Sequence, residues 1–346
     1  MSVLRLSVAL LGVVAGGVPA TGQVSTVVVP DAPSCAKCTI VVRPIVSLGA
    51  VDGPGSFDNV PFSVKVDGRG RYWVTQEVEM PMVFDAAGKF VQSVGRKGEG
   101  PGEFRMPWAL MPVNDSVLVF DVTRATMIGP DLRPGRTMSV PMGLRAGALF
   151  TWPNLAFLTN TAGGGRDGPP PPISRVRFSP AGVEVLGTFG PDRGDLDPRY
   201  PLFQILGEAQ HGRVWSADGG GGRYRLSQWN TAGMLERSLE RKPDWFLNPS
   251  DGSAKSMAQP NVRAFQEDSA GLVWVFASTP RPGWKDALPK MERGVQEIAT
   301  RQIAFERLYR TTVEVIDPRT ARVVAQRVLD EWIVAALPNG RAAAYS

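Results

Sequence analysis

Short apolar runs alternate with polar turns along almost the whole chain. "VDGRGRYWV" (66–74), "VNDSVLVF" (113–120), "WPNLAFLT" (152–159), "QHGRVWSA" (210–217), "DSAGLVWVF" (268–276) and "LPNGRAAAY" (337–345) share one design. Each is a turn rich in Gly, Asn, Asp or Pro followed by a short apolar or aromatic strand. Apolar segments precede them: "PFSVKV", "PWALMPV", "GALF", "LFQILGEA", "VRAFQE" and "EWIVAA". The pattern predicts six hairpins. A second hairpin follows five of them, at 82–95, 125–140, 174–190, 224–240 and 313–329, each broken in the middle by Gly, Pro, Asn or Asp.

Two hairpins in series make a four-stranded antiparallel meander of roughly 40 residues, the size of a propeller blade. The expectation is therefore an all-β, six-bladed β-propeller forming a single domain over residues 23–346. The sixth unit lacks its second hairpin, while the N-terminal region has strands to spare at 25–30 and 39–49. A propeller closes its ring by mixing strands from both chain ends, which removes a free sheet edge. Residues 39–48 are expected as the outer strand of the sixth blade and 25–30 as its third strand. The alternative is a natural chain that continues past Ser346.

Two Gly-rich stretches, "LGAVDGPGSF" (48–57) and "VGRKGEGPGEF" (94–104), precede the first two units. They are expected to carry the chain from the rim of one blade to the axis of the next, with Phe57 and Phe104 plugging between blades. Around them stand Phe57, Pro61, Val64, Val66, Asp67, Gly70, Tyr72, Val74, Phe84, Asp85, Gly88 and Phe90, then Gly100, Pro101, Gly102, Glu103, Phe104 and Pro107. Over 49–107 this resembles the NHL-type six-bladed β-propellers. The resemblance implies the six-bladed fold. That family's usual Asn-Arg pair before the third strand is replaced by "VEMPM" (78–82), so a ligand that depends on the pair is not implied.

Composition narrows the class. Of 346 residues 43% are hydrophobic, with 38 Gly and 30 Pro, as suits a turn-rich β chain with a large core. The net charge of +5 comes from Lys and Arg scattered among acids, which argues against a nucleic-acid partner. Residues 1–22 read as an export signal: Arg5, the apolar run 6–18, then small residues at 18–23. The expected location is periplasmic or extracellular, with no transmembrane segment after cleavage, and the expected state is a monomer. Cys35 and Cys38 are expected to form a structural disulfide in that compartment.

The first-to-second and third-to-fourth strand turns share one face and are short. The other face carries the long insertions: 95–104, 160–172, 190–201, 240–260 and 278–310. Long loops on one side of a rigid scaffold are where binding sites are built. In the last of them, Leu288, Met291, Val295, Ile298 and Phe305 make one apolar stripe, which predicts a helical insertion in the fifth blade over 285–308. The lone histidine, His211, lies in a turn on the opposite face, and no G-x-S-x-G is present. The expected function is a non-catalytic binding or scaffold module without a cofactor. It would recognise a protein, peptide or glycan through Arg105, Trp108, Arg166, Arg199, Tyr200, Trp245 and Trp284. The alternative is a metal-dependent hydrolase or lactonase with Ca²⁺ held by Glu77, Asp121, Asn160 and Asp218 near the axis.

Overall fold

The computed structural model describes residues 24–76, 79–160, 171–191, 204–219, 223–246, 258–287 and 305–345. The proposed signal at 1–22 lies outside them, as do most of the long insertions. Of the expected helical insertion at 285–308, the described parts are a 3-10 turn, Trp284–Ala287, and one helical turn, Phe305–Leu308.

Five four-stranded antiparallel meanders follow one another in sequence order. The first is Ser63–Val66, Tyr72–Thr75, Met82–Phe84 and Phe90–Ser93. The second is Ala109–Val113, Ser116–Asp121, Arg124–Ile128 and Pro134–Ser139. The third is Leu144–Thr151, Leu155–Asn160, Ile173–Ser179 and Gly182–Phe189. The fourth is Gln204–Leu206, Arg213–Asp218, Tyr224–Asn230 and Leu235–Arg241. The fifth is Asn261–Glu267, Val273–Pro280, Tyr309–Asp317 and Arg322–Leu329. After them comes a two-stranded hairpin, Trp332–Leu337 with Arg341–Tyr345. The expectation of six four-stranded blades is thus corrected to five blades and a hairpin, on an all-β propeller.

The hairpin nonetheless closes the ring. Apolar cores lie between successive sheets, and Ile333 and Ala336 pack on the fifth blade while Leu337 and Ala335 pack on the first. The N-terminal segment does not complete this hairpin as expected. Thr26–Val28 instead pairs in parallel with the outer strand of the fourth blade, Thr26 opposite Ser238 and Val28 opposite Glu240. Arg241 secures it: its guanidinium donates to the carbonyls of Val29 and Pro30, both at 3.0 Å, and to Asp31 at 2.7 Å.

From there the chain follows the rim. Ser34 and Cys35 donate backbone bonds to Val323 and Val324 of the fifth blade, and Cys35 and Cys38 form a disulfide. Ile40 is buried against the fifth-blade core, and Val46 and Leu48 reach the first blade. Residues 39–48 contain no strand. Pro44, in their middle, has no N–H to give a sheet ladder.

Local chemistry explains why the hairpins form. In the first blade Asp67 Oδ1 accepts from the amides of Arg69 and Arg71, and Oδ2 accepts from Trp73 Nε1 at 2.8 Å. Asp268 repeats the device in the fifth blade with Ala270, Leu272 and Trp274 Nε1. One carboxylate therefore shapes the turn and orients the aromatic six residues later.

The Gly-rich connectors do what their composition suggests. Phe104 is fully buried, and Phe57 packs into the first-blade core. Gly95 has φ +84°, and a Cβ there would stand 2.4 Å from the Phe104 ring; at Gly49 the same test gives 2.6 Å to Phe57. In both copies the glycine makes room for the plug.

Candidate ligand site at the propeller axis

The six inner strands surround an axial channel with a cavity of about 400 Å³, within the range of small-molecule sites. Each inner strand starts at the face of the blade-to-blade connectors, so the start of the strand marks the long-loop end of the channel. Most lining positions are apolar or small. Three are cationic: Lys65 from the first inner strand, Arg145 from the third and Arg263 from the fifth. They stand on alternate members of a ring of six. Arg145 is the second residue of an eight-residue strand and Arg263 the third of a seven-residue strand, near the loop-face mouth, whereas Lys65 is the third of four and lies deeper. One carboxylate lines the same cavity, Glu208, beyond the end of the fourth inner strand and towards the far side.

Aromatic platforms hold two of the cations. Trp108 ends the Gly-rich connector, and its amide bonds to the Phe120 carbonyl at 3.2 Å. The Arg145 guanidinium lies 4.1 Å from the centroid of the Trp108 ring, a close cation–π stack. The Arg263 guanidinium lies 5.6 Å from the Trp332 ring, and its Nε–H is buried without a hydrogen-bond acceptor. Burial lowers the pKa of both guanidiniums, with Tyr309 pulling Arg263 the other way; both remain cations at neutral pH. Burial also lowers the Lys65 amine, and the Glu208 charge opposes it.

Asp218 and Asp121 are matched within their own sheets. Gln204 Nε2 donates to Asp218 Oδ1 at 2.6 Å, and Arg225 pairs with Asp218 at 3.3 Å. Burial pushes the Asp218 carboxyl up, against Arg225 and Gln204. Asp121 is fully engaged. It accepts the amides of Arg105 (3.0 Å), Met106 (2.7 Å) and Val122 (3.0 Å) and the Arg124 guanidinium (3.0 Å). Arg124 in turn donates to the carbonyls of Gly98, Glu99 and Glu103. This pair clamps the Gly-rich connector rather than facing the axis. The amide of Asn160 bonds to the Pro172 carbonyl. Glu77 lies outside the described residues. Among the described residues no three His, Cys, Asp or Glu side chains are grouped to hold a metal ion.

Of the expected contact residues, Trp108 is at the channel. Arg105 is exposed on the connector, 3.4 Å from Glu99. Trp245 packs with Tyr224 and Phe246 in a core between the fourth and fifth blades, and Trp284 packs with Leu308 and Trp332. Arg166, Arg199 and Tyr200 lie outside the described residues. His211 sits in an exposed turn with φ +50°. Lys65, Arg145 and Arg263 were missed by the sequence reading. Their signal was a lone cation inside an apolar inner strand, as in "SVKV", "LRAG" and "VRAF".

No known family profile matches the chain, and no curated protein matches it. Solved structures do. An exported-type protein of Bacteroides fragilis superposes with a TM-score of 0.49 at 10% identity, covering 88% of this chain and 75% of that one. The WD40 domain of Neurospora crassa Pan2 gives 0.46 at 9% identity, covering 80% and 68%. At such values the propeller assignment rests on the strand pairing described above. Among the described residues no helix is long and apolar enough to cross a membrane.

Proposed function

We infer that this chain is a non-catalytic binding module, exported, without a cofactor, that takes its ligand at the long-loop mouth of the axial channel. The observation that carries this reading is the Arg145–Trp108 stack at the rim of an open, preformed cavity. A stacked guanidinium is held in one orientation before a ligand arrives, which reduces the ordering cost of binding. The long loops on the same face would add contacts to a protein, peptide or glycan. The Cys35–Cys38 disulfide supports an oxidising compartment.

The test is a thermal-shift panel of organic acids, sugars and short peptides on the wild-type chain and on Trp108→Ala. A channel ligand at a hundred times its Kd stabilises by about 2.7 kcal/mol. That gain is expected to vanish in Trp108→Ala. Ligands that stabilise both proteins equally would place binding elsewhere and refute the reading.

A further inference from the structure

We propose that the axial channel is a site for small organic polycarboxylates, whose carboxylates are met by Arg145, Arg263 and Lys65. This rests on the channel reading above and specifies its ligand. The first support is charge. Two guanidiniums and one amine line the cavity against a single carboxylate, a basic lining that favours an entering anion.

The second support is spacing. The cations come from the first, third and fifth inner strands, so they face the axis from three separate directions. Basic groups brought by three different strands can each meet a different carboxylate on one skeleton, and a guanidinium pairs with a planar carboxylate through two parallel hydrogen bonds. The third is preorganisation. Two guanidiniums rest on indole rings, and the Arg263 Nε–H is a buried donor awaiting an acceptor. Ser63 and Thr159 also line the cavity and offer hydroxyls to the ligand's remaining oxygens.

The test is isothermal titration of the full chain with citrate, succinate, dimethyl succinate and inorganic phosphate. Citrate and succinate should bind, and the diester should not. Citrate affinity should fall between about 50 and about 300 mM NaCl, because the contacts are ionic. Arg145→Gln and Arg263→Gln should each weaken citrate by roughly 10- to 100-fold. Arg133→Gln, in an exposed turn of the second blade on the opposite face, should leave it unchanged. The salt response of the wild-type protein keeps the proposal testable if a channel variant fails to fold.

The proposal is overturned if citrate and succinate give no binding, if phosphate binds more tightly than either, or if Arg263→Gln binds citrate as the wild type does. If instead the panel yields a neutral or cationic ligand that Trp108→Ala loses, the polycarboxylate inference fails while the channel reading stands. If the panel's ligands are indifferent to Trp108→Ala, both fall.

Discussion

The Arg241–Glu314 pair offers the sharpest test of what holds the ring to its N-terminal strand. Both side chains are buried, and they meet through two hydrogen bonds, Nη2 to Oε1 at 2.5 Å and Nε to Oε2 at 3.1 Å. The remaining Arg241 nitrogen holds Val29, Pro30 and Asp31. Replacing one member of a buried pair leaves the other charge uncompensated, at a cost of about 3–5 kcal/mol. Arg241→Met should sit at the upper end, because Glu314 then has no cation and two rim carbonyls lose their donor. Glu314→Leu should sit at the lower end, because Asp31 still faces the guanidinium at 2.7 Å. The double variant should recover the part of the loss that comes from the uncompensated partner charge, since apolar replacements of a buried pair are often neutral, while the contacts to Val29, Pro30 and Asp31 stay lost. Urea midpoints read by tryptophan fluorescence give the cycle, with a coupling energy of at least about 2 kcal/mol. If the double variant loses the sum of the two single losses, the pair is not coupled and the reasoning is wrong.

Two further predictions test the connector. Asp121 is lifted by burial but pulled below its ordinary carboxylate value by the Arg105, Met106 and Val122 amides and by Arg124. A depressed folded pKa gives stability that is present above the unfolded value and lost as pH falls through the folded one. Melting measured from pH 6 down to pH 3 should therefore show a shallower acid decline in Asp121→Asn than in the wild type; equal slopes would refute the assignment. Gly95→Ala should cost about 2–4 kcal/mol, combining a positive φ with a Cβ 2.4 Å from a buried ring. Gly212→Ala, at φ +72° with open space around its Cβ, should cost only about 1 kcal/mol; equal chemical-denaturation losses would show that the plug does not matter.

The strands and their order were legible because each hairpin carries its own local code. Asp67 and Asp268 sit six residues before a tryptophan, and the carboxylate does the same two jobs in both blades. The Gly-to-phenylalanine connectors read correctly for a similar reason, since the glycine and its plug lie in one short stretch. The course of 25–48 was not legible. Its apolar runs look like strands, but which edge they reach depends on Arg241, more than 190 residues away, and on Pro44 breaking the ladder. The site was half legible. Trp108 stood out as an aromatic on a long-loop connector. Lys65, Arg145 and Arg263 each look like one irregular position in an apolar strand, and only the ring shows that three such irregularities share an axis.

The two uses of cations in this chain point to why the channel differs from the scaffold. Arg71, Arg124 and Arg241 each meet a carboxylate of Asp67, Asp121 or Glu314, carried on their own or an adjacent sheet. In those places charge is neutralised at the moment the blades pack, and the pair serves turn, connector or rim. Lys65 faces Glu208 across the cavity without a hydrogen bond to it, and Arg263 lies against Trp332 and Tyr309. Aromatic faces attract a cation but contribute only about 0.5–2 kcal/mol, less than a close carboxylate provides in the same medium. Burying Lys65 and Arg263 therefore opposes folding. On the proposed reading the same imbalance would favour entry of an anion, so that Lys65 and Arg263 would serve binding at a cost to stability.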